Sequence, residues 1–152
     1  MALACKTLAI VVVAALLLLV TPASAASGEP GVHITKMTIE PGGPDFNITV
    51  QYSTSFMTKI FSLLFGARVV QPGIVDQVAG LGDVKLASID TYGQTARLVA
   101  KNQSRPLNGM YLYDKGATFP VAVDVLEIAG SAVVEPLVIN STNTVPTFFY
   151  RM

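Results

Sequence analysis

The chain has 152 residues, of which 51% are hydrophobic, and its ten basic and ten acidic side chains cancel at pH 7. A near-neutral chain with scattered charges lacks the basic surface that binds nucleic acid or anionic lipid. The length suits a single domain, which buries about two-thirds of the surface of its unfolded chain.

The first 25 residues have the features of a secretory signal peptide. Lys6 provides a positive charge, residues 8–20 form an uninterrupted apolar run, and residues 23–25 (Ala-Ser-Ala) match the small-x-small pattern of a cleavage site. A spanning helix needs about 20 apolar residues, so an uncleaved anchor is the weaker alternative. We therefore expect a signal peptide over 1–25, cleavage after Ala25, and a flexible lead-in over 26–31.

Cys5 is the only cysteine of the chain, and it precedes the apolar run. A lipoprotein cysteine would follow that run, so we expect Cys5 to be removed with the signal peptide. The mature chain then has no disulfide or thiol chemistry, and its stability must come from its core.

Two strands are predicted at the start of the mature domain, over residues 32–40 and 46–54, with a Pro-Gly-Gly-Pro turn between them. In the second strand the apolar residues Phe46, Ile48, Val50 and Tyr52 alternate with polar ones. Because successive strand residues point to opposite faces, this alternation predicts one apolar face and one face in water.

Two helices are predicted next. For the first, Ser55 is a suitable N-cap and Gly66 a suitable residue to end the helix. Its large apolar residues fill an arc of about 200° on a helical wheel; they are Phe56, Met57, Ile60, Phe61, Leu63, Leu64 and Phe65. The second helix is predicted from Pro72 to Leu81, with Gly82 at its end.

The first helix is expected to fill the core against the sheet. An interfacial membrane helix normally carries several basic residues on its polar face, and here that face has Lys59 alone. A cysteine-free domain also gains about 1.5–3 kcal/mol from burying each large apolar side chain. A partner-binding surface and a membrane contact are the alternatives.

From Asp83 onward the pattern indicates strands. Residues 84–90 and 95–101 form a predicted hairpin, and later strand patterns cover residues 109–114, 118–130, 132–140 and 146–152. Pro136 cannot donate a ladder hydrogen bond, which indicates an edge strand.

The order β-β-α-α followed by six strands favours an α+β fold, because the strands are grouped rather than interleaved with helices. We expect a single globular domain over 32–152. It would have a largely antiparallel sheet of about six to eight strands, with one or two short helices packed on one face. A β-sandwich with a helical insertion is the alternative.

Residues that could carry chemistry are few. His33 is the only histidine and lies at the start of a predicted strand, where a surface role is expected, and the chain has no Gly-x-Ser-x-Gly elbow. The acids show no EF-hand spacing, and one histidine without cysteine does not suit zinc. These acids, expected at turns and on the surface, are Asp83, Asp90, Asp114, Asp124 and Glu127. The sequence predicts no catalytic, cofactor-binding or metal site.

A carboxylate-dependent hydrolase is harder to exclude, since two acids can meet from distant strands without a local motif. A carbohydrate cleft usually offers aromatic platforms, and the chain has no tryptophan. Tyr111 and Tyr113 share one face of a short predicted strand, and we expect them to pack inside.

Three N-glycosylation sequons begin at Asn47, Asn102 and Asn140. Asn47 falls on the polar face of its strand, and the other two are expected where a loop begins. All three are candidate glycan sites.

Together these patterns favour a secreted or cell-surface domain without enzymatic activity, which binds a partner protein or contributes to the cell envelope. A small secreted carboxylate hydrolase and a domain held by an uncleaved leader are the alternatives. We expect no cofactor, no nucleic-acid partner and no membrane insertion of the mature chain.

Overall fold

The computed structural model describes residues 31–151, which form one six-stranded sheet, one three-stranded sheet and two α-helices. The helices are α1 (Phe56–Phe65) and α2 (Gln71–Val78). The strands are β1 (Val32–Gly42), β2 (Asp45–Thr54), β3 (Val84–Asp90), β4 (Thr95–Ala100), β5 (Arg105–Leu107), β6 (Met110–Tyr113), β7 (Thr118–Ile128), β8 (Leu137–Thr144) and β9 (Phe148–Arg151). The predicted signal peptide, Cys5, the cleavage site after Ala25 and most of the lead-in lie outside the described residues.

The large sheet has the strand order β3-β4-β2-β1-β7-β8, and the small sheet has the order β5-β6-β9. All the pairings are antiparallel except that of β1 with β7, which is parallel. The predicted α+β fold with a largely antiparallel sheet is confirmed. Residues 105–107, outside the predicted strands, form the short strand β5, and residues 132–136 precede β8 rather than belonging to it.

The core lies on one face of the large sheet. In β2 and β4 every second residue is buried, as the alternation predicts, and β1 keeps its apolar residues inward across a bulge between Ile34 and Lys36. On this face the sheet is covered by α2, through Ile74 and Val78, and by Leu81 in the 3-10 turn that follows it.

Two contacts fix α2 and its following turn to the sheet. The side chain of Gln77, which is buried, donates a hydrogen bond from Nε2 to the carbonyl oxygen of Val32 at 2.5 Å. Gly80 lies against the backbone of Thr118, where an added Cβ would be 2.1 Å from the carbonyl oxygen. Only glycine fits at this crossing, so the turn packs directly on β7.

The small sheet joins the core through aromatic rings. Phe46 of β2 contacts Tyr113, Phe148 and Tyr150, with ring centroids 5.3–6.1 Å apart. The Tyr113 hydroxyl accepts a hydrogen bond from the N–H of Ala117, and burial raises the pKa values of Tyr113 and Tyr150. The expected inward packing of the tyrosines is confirmed: Tyr113 is fully buried and Tyr111 stacks on Tyr150.

Candidate interaction surface

Helix α1 presents its apolar side to solvent. Its seven large apolar side chains are each 36–76% exposed; we call this surface the α1 face, and it comprises Phe56, Met57, Ile60, Phe61, Leu63, Leu64 and Phe65. The one buried residue of the helix is Ser62, at 6% exposure. The expectation that α1 fills the core is therefore wrong.

The physical reason is that the core face of the sheet is already covered. Helix α2, Leu81 and the rings of the small sheet occupy the position over β1, β2 and β4 where α1 was expected. Helix α1 mainly contacts the 3-10 turn Ala67–Val69 that follows it, so it projects from the body of the domain.

Local hydrogen bonds within residues 55–66 stabilise α1, although its large side chains do not pack in the core. The Ser55 hydroxyl caps the N-terminus by accepting from the N–H of Thr58 at 3.3 Å, and it lies 2.9 Å from the Thr58 hydroxyl. The Ser62 hydroxyl donates to the carbonyl of Lys59 at 2.8 Å. Gly66 ends the helix at φ +77°, a backbone conformation that favours glycine. The side of α1 that carries Thr58 and Ser62 is turned toward the domain, since Ser62 is buried and Thr58 is half-buried.

The α1 face is large for a monomer. Aromatic side chains bury roughly 150–250 Å² each, and aliphatic ones somewhat less, so the exposures correspond to roughly 700 Å² of apolar surface. The largest apolar patch of a typical soluble monomer covers about 300–600 Å² and is often functional. The rings of Phe61 and Phe65, one helical turn apart, stack with centroids 6.1 Å apart and form the aromatic part of the surface.

The surroundings of the α1 face are weakly basic. Residues 55–70 contain Lys59 and Arg68 and no acidic residue. Within residues 31–151, neither of these two side chains takes part in an ion pair. The surface therefore combines an apolar face with one positive charge on the helix and a second in the 3-10 turn that follows it.

The three sequon asparagines lie on the exposed surface. Asn47 is on the outward face of β2, as predicted, and Asn102 is the second residue after β4, with φ +51°. Asn140 does not begin a loop, because it lies within β8, opposite Val125 of β7. Since β8 is an edge strand, a group attached there meets no neighbouring strand on its outer side.

His33 lies on the polar face of the large sheet and forms a hydrogen bond with Asp124, with Nε2 and Oδ1 2.9 Å apart. In the β1–β2 ladder it is opposite Ser53, so a serine, a histidine and an aspartate occupy three adjacent strands. The only side-chain hydrogen bond of His33 within the described part of the chain is to Asp124. The group is open to water on a flat sheet face, whereas nucleophilic catalysis needs a hydroxyl bonded to the base and a protected site.

Four of the acids are bonded to lysine, to arginine or to the backbone of a turn. A hydrogen bond from Lys36 is the main cause that lowers the pKa of Glu127, and one from Lys101 is the main cause that lowers the pKa of Asp45. Asp90 accepts hydrogen bonds from two N–H groups of the β3–β4 turn, as expected, and Asp114 pairs with Arg105. A glycosidase acid needs a raised pKa instead.

Two surface clefts are lined by both polar and apolar residues and hold one carboxylate each. The first, of about 430 Å³, lies on the outer face of the large sheet and is lined by Glu40, Asn47 and Arg97, among others. The second, of about 320 Å³, lies beside Asp83 and Lys101. Neither cleft brings together the two carboxylates that a hydrolase requires.

Across residues 31–151, no cluster of three histidine, cysteine or acidic side chains is arranged to hold a metal ion. In the same range, neither helix has the length and hydropathy to span a bilayer.

Comparison of the chain with protein-family models, with curated proteins and with solved structures found no match. Function is therefore inferred from the geometry of the α1 face and from the surface chemistry around it.

Proposed function

We propose that the protein is a secreted or cell-surface domain without enzymatic activity, which attaches to a partner or to the cell envelope through the α1 face. The observation that carries this proposal is the orientation of α1, whose apolar side points outward while its polar Ser62 is buried. Seven exposed large apolar residues do not stabilise a helix in water, whereas they stabilise a complex in which they are buried.

The secretory features of the sequence support the extracytoplasmic setting. The leader over 1–25 directs export, and Asn47, Asn102 and Asn140 are the proposed glycan sites. Their exposed positions are compatible with attached sugars. The pairing of Glu127 and Asp45 with lysines and the open His33–Asp124 pair favour binding over catalysis.

The test is the distribution of the full chain expressed in its natural host. The fraction retained on cells and the fraction in the medium are measured for the wild type and for Phe56→Asp/Leu64→Asp. A matched control, Tyr92→Asp/Val134→Asp, places two aspartates at exposed apolar positions outside α1. Mass spectrometry of the secreted protein checks for an N-terminus at Ala26 and for glycans.

We expect the wild type and the control to stay on the cells, and the α1 variant to be released at the same total yield. Equal distribution of all three proteins would show that α1 does not attach the domain. An enzymatic activity that survives the α1 substitutions would also overturn the proposal.

A further inference from the structure

We infer that the α1 face docks into the interfacial layer of a lipid bilayer. This inference rests on the proposed attachment through α1 and names the partner as lipid rather than protein. The expectation of no membrane insertion rested on α1 filling the core and on the lack of a basic surface, and the exposed position of α1 removes the first of these grounds.

The first reason is the width of the exposed arc. On a wheel of 100° per residue, the α1 face extends from Leu63 through Phe56 and Leu64 to Phe65, about 200° in all. A flat protein surface contacts one side of such a helix and leaves the flanks in water. Lipid chains are fluid and surround a helix embedded about 5–10 Å into the headgroup boundary, so all seven side chains leave water together.

The second reason concerns the polar side of the helix. A free interfacial helix needs several basic residues because its polar face must contact headgroups and water. In α1 that sector rests on the domain: Ser62 is buried and bonded to the backbone, and Thr58 bonds to Ser55. The scarcity of lysine on α1 therefore does not argue against a lipid surface.

The third reason is charge. Lys59 lies on α1 and Arg68 in the 3-10 turn that follows it, and residues 55–70 include no acid that would repel anionic headgroups. A basic residue near an anionic membrane contributes about 1 kcal/mol of attraction. In a symmetric dimer built from α1 against α1, the same charges of the two copies would approach each other.

A second copy of the chain is the main rival, since roughly 700 Å² per subunit approaches the 800 Å² of a standard interface. Neither of the two clefts described above offers α1 an apolar groove, because Glu40, Asn47 and Arg97 line one and Asp83 and Lys101 the other. An α1–α1 contact would cover only part of the 200° arc.

The experiment is flotation with protein-free vesicles of phosphatidylcholine, alone or mixed with phosphatidylserine. The protein is purified from its natural host, and its N-terminus is determined by mass spectrometry. Because any retained leader is common to all variants, differences in vesicle binding between the variants report on α1.

We expect the wild type and Tyr92→Asp/Val134→Asp to float with both kinds of vesicle. The variant Phe56→Asp/Leu64→Asp should partition about a hundredfold less, since two large side chains no longer transfer from water. Lys59→Gln should lower partitioning about fivefold on vesicles with phosphatidylserine only.

A wild type that stays off both kinds of vesicle, or an α1 variant that floats equally well, would overturn the lipid inference. So would sedimentation equilibrium that shows a wild-type dimer and a monomeric α1 variant. If cells still retain the protein through α1 when vesicles do not bind it, the proposed attachment stands and its partner is a protein.

Discussion

Two identical substitutions in different environments separate a surface role of α1 from a core role. Leu64 of α1 is 70% exposed, whereas Leu98 of β4 is 1% exposed and lies among the core residues of the large sheet. Leu→Ala at each position removes the same three carbon atoms. The difference in the free energy of unfolding between the two variants therefore reports how the surroundings of the two leucines differ.

The expected magnitudes differ severalfold. Truncation of a buried leucine costs about 2–5 kcal/mol, from lost transfer free energy and from the cavity that remains. Leu98 is enclosed by neighbouring strands that are hydrogen-bonded on both sides, which limits collapse around the cavity. At Leu64 the substitution removes surface that is mostly in water already, and surface changes usually stay within about 0.5 kcal/mol.

Urea unfolding of the wild type and both variants, followed by circular dichroism, gives the free energies of unfolding. We expect a lower midpoint with an unchanged slope for Leu98→Ala, and a curve close to the wild type for Leu64→Ala. A cost above about 1.5 kcal/mol for Leu64→Ala would refute the reasoning, because α1 would then be packed in the folded protein. Dependence of that cost on protein concentration would assign the packing to a second copy.

Other substitutions test how the domain is held together. Gly80→Ala should destabilise by several kcal/mol in thermal unfolding, because the added Cβ would overlap a carbonyl oxygen of β7; a wild-type melting temperature would contradict this packing. Tyr150→Phe should cost about 1 kcal/mol by urea titration, since it removes the 2.7 Å hydrogen bond to the turn between β1 and β2; an unchanged midpoint would show that the bond adds nothing. The lowered pKa of Glu127 means that its pairing with Lys36 stabilises fully above the ordinary pKa of 4.5 and is lost as pH falls through the lowered value. Lys36→Met should therefore reduce the acid dependence of unfolding below pH 4.5, and an identical pH profile would count against the pair.

The strands could be predicted well because their signal is local. In β2 and β4 the alternation of apolar and polar residues reports directly which side chains face the core, and both strands lie within one residue of their predicted bounds. The parallel pairing of β1 with β7 was not predictable in this way, since it joins residues about 90 positions apart. The His33–Asp124 pair depends on that pairing and was missed for the same reason.

The orientation of α1 could not be predicted from its own pattern. A helical wheel gives the width of an apolar arc, but it does not say whether the arc meets a sheet or solvent. That is decided by competition for the sheet face, and α2 occupies it although its apolar pattern is weaker, because Gln77 and Gly80 fix it against β1 and β7. The useful signal in α1 was its polar side, where Thr58 and Ser62 are small enough for the helix to lie against the domain and Lys59 is the single charged residue. A core helix normally carries several charged or polar residues on the side that faces water. Where a helix has a wide apolar arc and mostly short side chains opposite it, the apolar arc should be tested first as an interface.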